Sequence, residues 1–177
     1  KDALKIAERK LGQKGKYFNG SFFDIDFEEN FFDCSISLHT IYHMHKNSQA
    51  KAVKKLIKET KKDAPIIVIY ENPHSFERFM TSPIKVIKLI SYLINKISLK
   101  NKIKPYFWAH SINWWSQFED TCDIQILPWR SFSSKIQKIF FPDNSLGEKM
   151  FKFLWVLENK FPNIFRYFSR YVLIVLI

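Results

Sequence analysis

The stretch FFDCSISLHTIYHMHKN, from Phe31 to Asn47, holds His39, His43 and His45, three of the five histidines in the chain. An imidazole near neutral pH can take a proton, give one, or ligate a metal. The step of four from His39 to His43 would suit a metal pair on one helical face. No acidic or cysteine ligand lies beside them, and the backbone passes from strand to loop within the stretch, so no metal is expected. A second reading has His39 closing a strand, with the other two as loop residues whose hydrogen bonds are satisfied. A third comes from parallel sheets, which bind ligands at the carboxyl ends of their strands. His39 lies at such an end, and His43 one short turn beyond it.

The elements that must position these residues follow from periodicity. Asp2 to Leu11 reads as an amphipathic helix with Leu4, Ala7 and Leu11 on one face, stopped near Gly12 and Gly15. KYFNG reads as a short strand and turn, and SFFDIDFEEN as an acidic loop. FFDCSISLHTI is a mostly apolar run, as expected of a strand buried on both faces and central in its sheet. Asn47 and Ser48 can cap a helix running to Lys62, with Val53, Leu56 and Ile57 inward. PIIVIY is a second buried strand, closed by ENP. Strand, helix and strand at this spacing predict a parallel βαβ unit and an α/β fold.

Beyond it, Ser82 to Ile97 predicts a helix with Pro83 in its first turn. An aromatic segment follows, with a short helix from Ile112 to Glu119. CDIQILPW is a late strand, SSKIQKIF and GEKMFKFLWVLENKF are helices, and RYVLIVLI is a closing strand. We expect one domain over 1–177, with a helical and aromatic lid inserted at about 76–120.

Composition narrows the partners. The net charge is +11, which admits nucleic acid, phosphate or a membrane surface. The lysines are scattered rather than grouped in one stripe, so a nucleic-acid partner is not expected. Cys34 and Cys122 form no disulfide framework, which suggests a reducing, cytoplasmic setting. YVLIVLI is too short to span a bilayer, and IKVIKLISYLI is broken by lysines.

Read in order, these motifs resemble class I S-adenosylmethionine-dependent methyltransferases. The likeness rests on GSFFDIDFEENFFDCSISLHTIYHM, the following helix, PIIVIYENP, CDIQILPWRSF and YVLIVLI, with YFWAHSINWW similar to a segment of a bacterial subgroup. It implies a Rossmann-like, mostly parallel sheet with an antiparallel closing hairpin. The glycine-rich loop that cradles the methionine part of the cofactor in that family has no counterpart here, nor does the acidic residue that holds the ribose. The expectation is therefore a partial domain that lacks the first strands and binds cofactor poorly.

The resemblance implies S-adenosylmethionine as cofactor, with Ser21 and Phe22 at the adenine and His39 bordering the cofactor. Serine replaces the aspartate usual at the first of these positions. The resemblance also favours the third reading of the histidines. His43 is then the first candidate base toward the acceptor, and His110 the second. Tyr70 and Asn72 end a strand and so face the same crevice. Trp114, Trp115 and Trp129 could line an acceptor pocket, and Arg130 could pair an anionic group. The expected acceptor is a small molecule or a saccharide-linked group. A non-catalytic Rossmann-like binding module and an RNA methyltransferase are the competing readings.

Overall fold

A computed structural model describes residues 2–82 and 105–177. Four strands form one sheet in the order β1 (Ser35–Leu38), β2 (Ile66–Glu71), β4 (Tyr171–Leu176), β3 (Ile124–Arg130). β1 and β2 run parallel, and β4 lies antiparallel to both β2 and β3. The carboxyl ends of β1, β2 and β3 therefore share one edge of the sheet with the amino end of β4. That edge gathers His39, Glu71, Asn72, Arg130 and Tyr171.

α2 (Gln49–Glu59) joins β1 to β2. It buries Ala52 and Val53 completely against the core. That core continues through Val68 and Tyr70 of β2, alternate residues Val172, Ile174 and Leu176 of β4, and the aromatics Trp115 and Phe118. A fully buried Val or Ile contributes roughly 1.5–3 kcal/mol, so alternation along β4 is enough to fix its register. Trp115 and Phe118 lie on a 3-10 segment, Ile112–Phe118.

The helices α1 (Asp2–Leu11) and α2 and the strands β3 and β4 arise where the sequence predicts them. Several other expectations change. KYFNG forms no strand. α2 ends at Glu59 rather than Lys62, and Ser48 caps it without a side-chain hydrogen bond. β1 is not central and not buried on both faces. It pairs with β2 alone among the described strands, and Ile36 and Leu38 are each 60% exposed. The buried position is Ser35, whose hydroxyl meets that of Thr60 at 2.6 Å. The run is apolar overall, but its alternation places serines inward.

The helix α3 occupies 76–82 at the edge of the described chain. Beyond Ser82, the predicted Ser82–Ile97 helix lies outside the described residues, as does the 83–104 part of the expected 76–120 lid. The C-terminal helical expectation resolves into α4 (Ser134–Phe140), α5 (Ser145–Lys160) and a separate α6 (Pro162–Phe168). Pro162 starts α6, as proline at a first helical position should. Among the described residues no helix is long and apolar enough to cross a membrane.

Candidate active site

His39 closes β1 in a left-handed backbone conformation, φ 55°. This costs a non-glycine residue on the order of 1–2 kcal/mol. Its backbone N–H donates to Ile69 O at 3.2 Å, which keeps the turn tied to β2. The chain then makes one 3-10 turn, Ile41–His43, with Ile41 and Tyr42 buried. Tyr42 thus stands between two imidazoles. Its ring centroid is 6.1 Å from that of His39 and 4.7 Å from that of His43.

The two imidazoles are held differently. The Tyr42 hydroxyl lies 2.8 Å from His39 Nδ1. Burial holds the Tyr42 phenol well above its ordinary pKa, so it keeps its proton. No other partner receives that proton among the described residues, and a buried hydroxyl left unpaired is costly. The phenol therefore donates to Nδ1, and neutral His39 carries its own proton on Nε2. His43 shows the reverse. Its Nδ1 is 2.9 Å from the carbonyl of Tyr106. A carbonyl only accepts, so Nδ1 is protonated and Nε2 of neutral His43 keeps a free lone pair.

The surroundings of His39 favour its neutral form. Burial lowers its pKa first, and the charge of Arg130 lowers it further; Glu71 opposes this, and His43 adds a smaller lowering. Arg130 sits opposite Tyr171 in the β3–β4 register, and the Tyr171 ring meets His39 edge-on at 4.8 Å. Arg130 itself is exposed and donates to Ser134 Oγ at 3.2 Å.

Behind this edge lies a buried ionic network. Glu71 accepts from Arg78 at 2.6 Å and pairs with Arg170 at 2.8 Å. Glu77 accepts the Ser133 backbone N–H, and Arg170 Nε lies 3.9 Å from its carboxylate. Deleting one member of such a network leaves a buried charge unpaired.

Tyr70 and Gln49 tie the aromatic segment to this edge. Tyr70 donates to Gln49 Oε1 at 2.7 Å and accepts the His110 backbone N–H at 2.9 Å. Gln49 donates to the carbonyls of Met44 and Trp108. The Tyr70 phenol is pushed up to about 12, mainly by burial. Tyr70 and Trp115 are almost wholly buried in the core, which leaves them no face for an acceptor here. Asn72 is also buried, donating to Tyr167 O and accepting from His74 N–H.

His110 stacks on Trp114 with centroids 4.5 Å apart and planes within 5°. Its backbone joins the Tyr70 network, while its ring Nε2 lies 3.5 Å from Lys46 O. Trp129 is half exposed. Ser21 is exposed, and its hydroxyl accepts from Phe23 N–H at 3.3 Å. Phe22 is half-buried and lines a hollow of about 220 Å³ with Ile36, Ser37, Thr40 and Met44. That hollow brings Phe22 to the carboxyl end of β1.

The structure thus gathers His39, His43 and Arg130 at one edge, with Phe22 beside β1. Among the described residues no three His, Cys, Asp or Glu side chains form a metal-ligand group. Sequence reasoning missed Tyr42, Tyr171 and the Glu71–Arg170 pair. Tyr42 stands three residues after His39 within the same histidine stretch, the one signal that could have found it.

Residues 1–68 match the family described as "Methyltransferase domain". No curated protein matches the chain. Among solved structures, a SAM-dependent methyltransferase from Archaeoglobus fulgidus is 11% identical with TM-score 0.51, covering 98% of this chain and 72% of that one. The YcgJ protein from Bacillus subtilis is 11% identical with TM-score 0.52, covering 99% and 78%. A SAM-dependent methyltransferase from Thermotoga maritima is 12% identical with TM-score 0.51, covering 96% and 67%. At these identities the likeness concerns the fold. Residues 1–68 thus carry a methyltransferase-domain pattern, and the chain shares its fold with solved SAM-dependent methyltransferases.

Proposed function

We propose that the carboxyl edge of the sheet serves methyl transfer from S-adenosylmethionine to a hydroxyl or amine on a small-molecule or saccharide-linked acceptor. The observation that carries this reading is the pair of imidazoles around Tyr42, with His39 Nδ1 held by the Tyr42 hydroxyl and His43 Nδ1 by the Tyr106 carbonyl. The cofactor supplies a methyl group on a sulfonium. Transfer is then an in-line displacement that needs positioning and, for a hydroxyl, removal of a proton.

His43 offers the free lone pair for that proton. His39, neutral and protonated on Nε2, offers a donor to the cofactor side of the crevice. Arg130 offers a cation to an anionic acceptor. His110, stacked on Trp114, remains the second base, and Trp114 the aromatic wall of an acceptor pocket.

The residues present fit part of the cofactor. Phe22 and the apolar hollow beside β1 suit a flat ring, and Ser21 adjoins them with an uncharged acceptor. The four glycines of the chain include no Gly-x-Gly pair, so the methionine half finds no cradle of that kind among these residues. The chain by itself should hold S-adenosylmethionine weakly, which calorimetry can read.

The functional test is transfer of a labelled methyl group to a panel of hydroxylated and saccharide-linked compounds. His43→Ala should lower turnover about 10²–10⁴-fold while leaving cofactor affinity nearly intact. His39→Ala should weaken the cofactor instead. Full turnover in His43→Ala would remove the base assignment, and transfer to none of the compounds would remove the acceptor class.

A further inference from the structure

α5 turns an unusual surface to solvent. Stepping four, three and four residues along it, Leu146, Met150, Phe153 and Leu157 fall on one flank. Leu146 is 60% exposed and Phe153 65%. The opposite behaviour is normal for a helix packed on a sheet, which hides its apolar stripe. Here the inward side is formed by Gly147 and Leu154. Gly147 is buried, and a side chain there would collide with the Pro142 carbonyl at 1.8 Å. Leu154 shares an apolar hollow of about 350 Å³ with α6 and Phe76 of α3. Among the described residues the second apolar stripe is therefore surplus to the contacts that hold α5 in place.

Charge says what would cover it. From Ser134 to Phe168 the sequence carries six cations, Lys135, Lys138, Lys149, Lys152, Lys160 and Arg166, against three carboxylates. One of the three, Glu158, accepts from Ser131. Among the described residues none of the six cations meets a carboxylate at ion-pair distance, whereas Lys55, Lys58 and Lys61 each do. Lys149 and Lys160 border the exposed stripe of α5, and Lys152 lies farther round its solvent side. A second copy of the same face would bring these cations against each other. An apolar flank bordered by lysines is the pattern of a helix lying in the headgroup region of an anionic bilayer.

We infer that α5 docks the protein peripherally on an anionic lipid surface, with Leu146, Met150 and Phe153 entering the headgroup boundary and Lys149, Lys152 and Lys160 meeting lipid phosphates. The inference rests on α5 itself and does not depend on the methyl-transfer reading.

The test is sedimentation of the full chain with vesicles of phosphatidylcholine alone, or of phosphatidylcholine mixed equally with phosphatidylglycerol. Binding to the anionic vesicles should exceed binding to the neutral ones on the order of tenfold or more, from about 1 kcal/mol for each surface lysine. Phe153→Asp and Lys149→Glu/Lys152→Glu should each abolish most of it, with circular dichroism unchanged because these side chains are exposed. Equal binding to both vesicles, or none to either, overturns the inference. So does a dimer in light scattering that Phe153→Asp disperses, since the occupant would then be a second copy. Binding that Phe153→Asp leaves intact, or capture by RNA in preference to vesicles, also overturns it.

Discussion

α2 and α5 are both lysine-rich helices, yet the fold uses them in opposite ways. On α2 the apolar residues Ala52 and Val53 are buried, and the basic side is answered by the acidic loop before β1. Lys55 bridges Asp26 and Glu59, Lys58 meets Glu29, and just past the helix Lys61 meets Asp33. On α5 an apolar stripe stays in solvent, and its lysines find no carboxylate among the described residues. The same composition thus closes a core in one region and leaves a surface open in the other. A net charge summed over the chain cannot tell these apart, because part of it is already neutralised inside the fold.

The largest effect should separate two tryptophans. Trp115 has no exposed surface and packs edge-on against Tyr70 at 5.2 Å. Trp155 on α5 is 64% exposed. Trp115→Ala should cost about 3–5 kcal/mol, whereas Trp155→Ala should stay within about 0.5 kcal/mol. Urea denaturation of the two variants reads this directly, and equal losses would erase the contrast between the regions.

A smaller effect concerns the paired lysines. The Glu59 carboxylate accepts from Lys55 at 2.6 Å and from the Phe27 backbone N–H at 3.0 Å. Glu59→Gln should cost about 1.5–3 kcal/mol, as for hydrogen bonds to charged groups. Glu148→Gln on α5 should change stability little. A neutral Glu59→Gln variant in thermal melts would show that the acidic loop does not hold α2.

The smallest effect is on pH. The pKa of His39 lies below its ordinary value near 6.5, so the unfolded chain binds the proton more readily. The contribution of His39 to stability is complete above about pH 6.5 and fades as pH falls through the lowered folded value. The ring is exposed, so the loss should be slight. Melting temperature should drop a little less on mild acidification in His39→Gln than in the parent, and a steeper drop in the variant would reverse the sign.

Periodicity alone gave the βαβ unit, because α2 and β2 bury the residues that their spacing marks. It misplaced β1, since an apolar run looks buried whatever its neighbours, and only pairing shows that Ile36 and Leu38 lie open. It found the carboxyl-end position of His39 and His43, which topology dictates. It could not find the protonation of either ring. That depends on Tyr42, three residues away, and on the carbonyl of Tyr106, 63 positions along the chain. Trp115 and Tyr70 read as pocket residues for the same reason: aromatic side chains serve cores and pockets alike.

In the proposed methyl transfer the carboxyl edge around Tyr42 meets the cofactor. Nitrogen-15 spectroscopy during titration with S-adenosylhomocysteine tests it most directly, because it detects weak binding and reports each imidazole nitrogen. The free protein should show His39 protonated on Nε2 and His43 on Nδ1, with Tyr42→Phe releasing His39 alone from its fixed state. Added ligand should shift His39, Ser21 and Phe22 and leave α5 unmoved. Identical protonation of the two rings, or shifts confined to α4 and α5, would contradict the account.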